Sequence, residues 1–134
     1  MRRLLTAVTV ACLISVLPGF VLSTGWSAPL QPLVVGWERI FKLDWQVAER
    51  RGHPSVRGYV VNNSPYSIHS VRLLVDALDA SGAIIGQKVG YPTSSAMEPF
   101  SKSFFDIAAP GSGAASYQVR VFAFDRIESD SNKR

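Results

Sequence analysis

The chain has 134 residues, 47% of them apolar and 18% charged, a balance that excludes a disordered or collagen-like polymer and suits a single hydrophobic core. The formal net charge of +4 includes Arg2 and Arg3 of an N-terminal leader. The rest sets 12 basic residues against 10 acidic ones with no basic run longer than Arg50-Arg51, which excludes a nucleic-acid binder.

Residues 1–25 carry the marks of export. Arg2 and Arg3 form a positive start, Leu4 to Leu17 is uncharged, Pro18-Gly19 breaks the helix, and Ser23 and Gly25 suit signal-peptidase cleavage. The segment reads either as a cleaved signal peptide or as a signal anchor, because residues 4–22 hold no charge and just reach the length that spans about 30 Å of hydrocarbon. Both readings place the domain outside the cytoplasm, in the periplasm, in the cell envelope or secreted. In the second, residues 4–22 hold it in the inner membrane as a hydrophobic helix. The only cysteine, Cys12, lies in this leader, so disulfides, thiolate zinc sites and a cysteine nucleophile are excluded beyond it. Residues 26–38 follow as a linker with Pro29 and Pro32, which favour an extended tether. Leu33-Val34-Val35 is expected to add a short first strand.

From residue 39 to residue 126 the apolar residues recur with period two, the signature of half-buried strands. Phe41, Leu43, Trp45 and Val47 take one side, with Lys42, Asp44 and Gln46 on the other. Val56, Gly58 and Val60 oppose Arg57, Tyr59 and Val61. The turn Asn62-Asn63-Ser64-Pro65 separates this strand from the next, in which Val71, Leu73, Val75 and Ala77 oppose Arg72, Leu74, Asp76 and Leu78. Asp79-Ala80-Ser81-Gly82 is a hairpin signal, and Ala83 to Val89 returns as a strand. A loop from Gly90 to Pro99 leads to the strand Ser103–Ile107, which Pro110-Gly111-Ser112-Gly113 ends. Tyr117, Val119, Val121 and Ala123 make the last alternation, before a polar tail at 127–134. Six or seven short strands without a helical period predict an all-β fold, an antiparallel β-sandwich of immunoglobulin-like architecture.

A family resemblance rests on two stretches. Val56, Gly58, Val60, Asn62 and Ser64 form a V-x-G-x-V-x-N-x-S pattern, and the strand after Ile68 ends in Asp79-Ala80-Ser81-Gly82. With Pro99 before Phe104-Phe105, and Tyr117-Gln118-Val119-Arg120-Val121 near the end, residues 40–125 resemble the FxLYD and DUF3426 type of bacterial extracytoplasmic domain. Val75–Asp79 departs from the FxLYD signature in lacking its aromatic residue. The resemblance implies an immunoglobulin-like sandwich at the cell envelope and carries no common catalytic role.

The residues offer little chemistry. His53 and His69 lie sixteen residues apart, which is no metal-ligand spacing, and no G-x-S-x-G elbow occurs. Asp76 and Asp79 flank a hairpin, and no EF-hand loop is present. Gly111 and Gly113 precede no helix that could cradle a phosphate. Asn62-Asn63-Ser64 matches a glycosylation acceptor, which the turn also explains. No catalytic residue, metal site or cofactor is therefore expected.

Several strands are apolar on both sides, where a simple sandwich keeps one side polar. Tyr59, Val61, Leu74, Phe122 and Phe124 occupy the second side. Either the chain covers them itself, through the tether or a bulge that shifts the phase, or they meet a partner or a membrane surface, for which Arg57, Arg72 and Arg120 on the same phase would supply a positive rim. The expected function is a non-catalytic cell-envelope or secreted binding or assembly module acting through protein–protein contacts, by the Tyr59, Phe122 and Phe124 side or a free strand edge, with membrane contact through the leader if it is uncleaved. The alternative is a small secreted hydrolase with a site near His69 and Asp76.

Overall fold

The computed structural model describes residues 28–127, so the leader and the first two residues of the linker lie outside the described residues. After a 3-10 turn at Trp37–Arg39 come six strands: β1 Phe41–Arg50, β2 His53–Asn62, β3 Ser67–Leu78, β4 Ile84–Gly90, β5 Lys102–Ala108 and β6 Ser116–Ile127. They form two three-stranded antiparallel sheets, sheet A in the order β1-β2-β5 and sheet B in the order β4-β3-β6. Among the described residues no helix is long and apolar enough to cross a membrane.

The period-two pattern places the core. Phe41, Val56, Val60, Phe105 and Ile107 of sheet A meet Ile68, Val71, Leu73, Val75, Val119 and Val121 of sheet B in one buried cluster. Gly58 is fixed by close approach: a Cβ there would run into the Asp44 carbonyl and the Trp45 backbone of the paired strand.

The turns account for the other residues of the motif. Arg51 and Gly52 both have positive φ (52° and 78°) and join β1 to β2 as a two-residue hairpin loop, with Arg50 paired to His53. Asn62 is wholly buried and its side chain makes four hydrogen bonds. Its amide nitrogen donates to the Tyr66 and Glu98 carbonyls at 2.8 and 3.0 Å, and its oxygen accepts from the Ser64 N–H and hydroxyl at 3.2 and 2.6 Å. The N-x-S pair is thus a staple that ties β2 to the 63–66 turn and the 91–101 loop. Asp79 plays a similar part in the β3–β4 hairpin, where its carboxylate accepts from the Ser81 and Ala83 N–H groups at 2.9 Å each.

Two expectations need correction. Leu33–Val35 form no strand; Leu33 makes one backbone hydrogen bond to the edge of β6, at Phe122, and the chain then turns away, leaving Val35 98% exposed. Phe122 and Phe124 do not share a side. The β3–β6 register shifts between His69 and Leu73, beside a positive φ of 56° at Ser70, and the bulge turns Phe122 outward while Phe124 faces the core. There Phe124 packs edge-to-face on Phe41 with ring centroids 4.9 Å apart.

Candidate functional site

Alternation in sheet A lays out three ranks on its outer face. Lys42, Val61 and Lys102 form the first, Asp44, Tyr59 and Phe104 the second, and Gln46, Arg57 and Asp106 the third. Tyr59 and Phe104 are opposite one another, with ring centroids 5.6 Å apart in a T-shaped contact, and remain 42% and 40% exposed. The Lys102 ammonium lies 4.7 Å from the Tyr59 ring centroid. Beside these rings, Asp44, Gln46, Arg57, Tyr59 and Phe104 line a shallow depression of about 280 Å³.

Arg57 and Asp106 form an ion pair at 3.4 Å across the third rank. The pair leaves Arg57 Nε and Asp106 Oδ1 buried with no hydrogen-bond partner among the described residues. Such atoms keep their desolvation cost until something bonds them.

The outer face of sheet B holds similar residues in a different state. Leu74 and Asp76 are fully buried although they point away from the main core. Leu74 packs with Phe122, Ala123 and Val89, and Arg72 lies over the Phe122 ring at 5.7 Å. Residues 28–33 cross this face. The Leu30 N–H donates to Gln87 Oε1 at 2.8 Å, and Gln87 Nε2 donates to the Leu30 carbonyl at 3.1 Å and to Asp76 Oδ1 at 2.7 Å. Arg120 closes the network, its Nη2 2.7 Å from Asp76 Oδ2 and its Nη1 donating to Gln31 Oε1 at 3.1 Å. The Leu33 N–H then reaches the Phe122 carbonyl at 2.8 Å.

The five residues singled out from the sequence therefore part company. Tyr59 and Val61 stand together on the open face of sheet A, Leu74 and Phe122 lie on the outer side of sheet B, and Phe124 belongs to the core side. Phe104 and Lys102 complete the open face. Their signal was present in the sequence, since both alternate with the buried Ser103 and Phe105, but only the register sets them against Tyr59 and Val61.

The hydrolase pair is not brought together. His69 is exposed near one end of β3, while Asp76 is buried seven residues along the strand, about 20 Å away at 3.3 Å per residue, and held by Arg120 and Gln87. His53 lies on the other sheet, beside Arg50, Arg51 and Ser55. Among the described residues no three His, Cys, Asp or Glu side chains gather as metal ligands. No family model matches the chain, and no curated protein or solved structure matches it.

Proposed function

We propose that this chain is a non-catalytic binding module of the cell envelope or the secreted space, and that its contact surface for a protein partner is the outer face of sheet A. An immunoglobulin-like sandwich of the FxLYD and DUF3426 kind is part of this reading. The strand order supports it, first, second and fifth strands against fourth, third and sixth, as do the roles of Gly58, Asn62 and Ser64 in the shared pattern. The leader, a positive start followed by an uncharged apolar run, supports the location.

One observation carries the choice of surface. Tyr59 and Phe104 stay about two-fifths exposed at the centre of a sheet face, flanked by Lys42, Asp44, Arg57 and Lys102. An aromatic centre with a charged rim is the composition of protein-recognition patches.

The test is site-directed photo-crosslinking in the native host. A benzoylphenylalanine in place of Tyr59 is expected to capture one dominant protein, and the same group in place of Ile85, exposed on β4, is not. Adding Phe104→Glu should remove the adduct. Equal capture from both positions, or none from position 59, rejects this surface.

A further inference from the structure

A second surface follows from the free strand edges. Because sheet A runs β1-β2-β5 and sheet B runs β6-β3-β4, β1 and β6 are the edge strands of one side of the sandwich, joined there by the Phe41–Phe124 ring contact. On that side the core is left ajar. Among the described residues, all six partly buried apolar residues packed against the main cluster, Trp37, Ile40, Leu43, Trp45, Tyr117 and Phe124, belong to β1, to β6 or to the turn entering β1. On the opposite side, Ile107 of β5 packs directly on Gly90 of β4, and the Thr93 N–H bonds the Phe104 carbonyl at 2.7 Å.

The backbone of β6 is open along this seam. β3 pairs with its inner edge, and Leu33 reaches the carbonyl of Phe122 on the outer one. From Ser116 to Val121 the outer edge has no backbone partner among the described residues. Edge strands are commonly protected by charge. β1 has that protection in Lys42, Asp44, Glu49 and Arg50. The open stretch of β6 holds a single charge, Arg120, whose guanidinium is engaged by Asp76.

We propose that the edge of β6 between Ser116 and Val121 accepts an extended segment of a partner protein, apolar at every second residue, as an added strand of sheet B. Only a strand presents N–H and C=O groups at the spacing of a sheet edge, and its inward side chains, two residues apart, would seat between β1 and β6 against Leu43, Trp45 and Tyr117. Leu30, near the start of the described residues, is held by Gln87 on the β4 side, away from the seam. Residues 128–134 (ESDSNKR) include no apolar side chain to bury. This surface is separate from the Tyr59 face, and either could fail without the other.

Hydrogen–deuterium exchange of the full chain tests it. The probes are a synthetic peptide alternating valine and threonine and a control of the same composition with its valines grouped together. The alternating peptide is expected to slow amide exchange in residues 116–121 at least tenfold, and the control is not. Val47→Lys, on the seam side of β1 and 53% exposed, should cut that protection tenfold without changing the thermal midpoint, whereas Tyr59→Ala should leave it intact. Unchanged exchange at millimolar peptide, or equal slowing by the control, overturns the proposal. So does protection present without peptide, whether it grows with protein concentration, which assigns the edge to a second copy, or is already complete at the lowest concentration.

Discussion

The outer faces of the two sheets are made of similar parts. Sheet A sets Arg57 against Asp106 beside Tyr59 and Phe104; sheet B sets Arg120 against Asp76 beside Leu74 and Phe122. On sheet A the ion pair is 3.4 Å long and its side chains are 36% and 20% exposed, whereas on sheet B it is 2.7 Å long with Asp76 at zero exposure. What separates them is the segment preceding β1, which lies across sheet B and supplies Leu30, Gln31 and Leu33 to it. An acid–arginine pair on a strand therefore has no fixed meaning. Covered by its own chain, it becomes part of the stabilising structure; left open, it remains available for contact.

That contrast can be broken most severely at Asp76. Asp76→Ala leaves Arg120 desolvated and uncompensated, and is expected to cost about 3–5 kcal/mol in denaturant unfolding. Replacing both partners by leucine should recover much of that loss, since the charges then leave together. Leu74→Ala comes next, at about 3 kcal/mol, because Leu74 is fully buried despite facing outward. A stability change below about 0.5 kcal/mol there would mean that the segment over sheet B does not seal it. Gln87→Ala, which removes the hydrogen bonds Gln87 makes to Leu30 and to Asp76, should cost about 1 kcal/mol. Arg57→Ala on the open face should cost only about 0.2–1 kcal/mol, and a larger loss measured by the same unfolding assay would erase the distinction between the faces.

The smallest effect lies at Asp79, at the surface of the β3–β4 hairpin. Hydrogen bonds from the Ser81 hydroxyl and then the Ala83 N–H hold its carboxyl below the ordinary value. A depressed folded-state pKa stabilises the protein above the unfolded value of about 3.9, and that contribution disappears as the pH falls through the lower folded one. Asp79→Asn should accordingly be slightly less stable at neutral pH, with the difference shrinking below about pH 4 in thermal melts. A difference that widens in acid would contradict this assignment.

The architecture was legible where a local rule decides it. Alternation located β1, β2, β3 and β6, turn signals placed β4 and β5 between them, and Asp79 with Gly82 marked one hairpin correctly. The other hairpin was hidden because its two-residue loop begins with Arg51, which lacks the Asn or Asp usual at a position of positive φ. A bulge that shifts the phase is one reading of the two-sided apolar strands, but its place beside Phe122 was not visible, since it depends on what Arg72 faces across the sheet. The candidate site was half legible. Period two shows that Tyr59 and Val61 share a side, but whether that side is open depends on a segment that bonds residues 57 positions away, as Leu30 does to Gln87.

The staple at Asn62 has one consequence for how the chain could be followed as it folds. Its amide carries four hydrogen bonds and no exposed surface, so an oligosaccharyltransferase could reach this sequon only before the sandwich closes. Made in a eukaryotic secretory pathway, the chain would carry sugar at Asn62 in proportion to the time it spends unfolded. Glycan occupancy at this one amide would then serve as a clock for its folding.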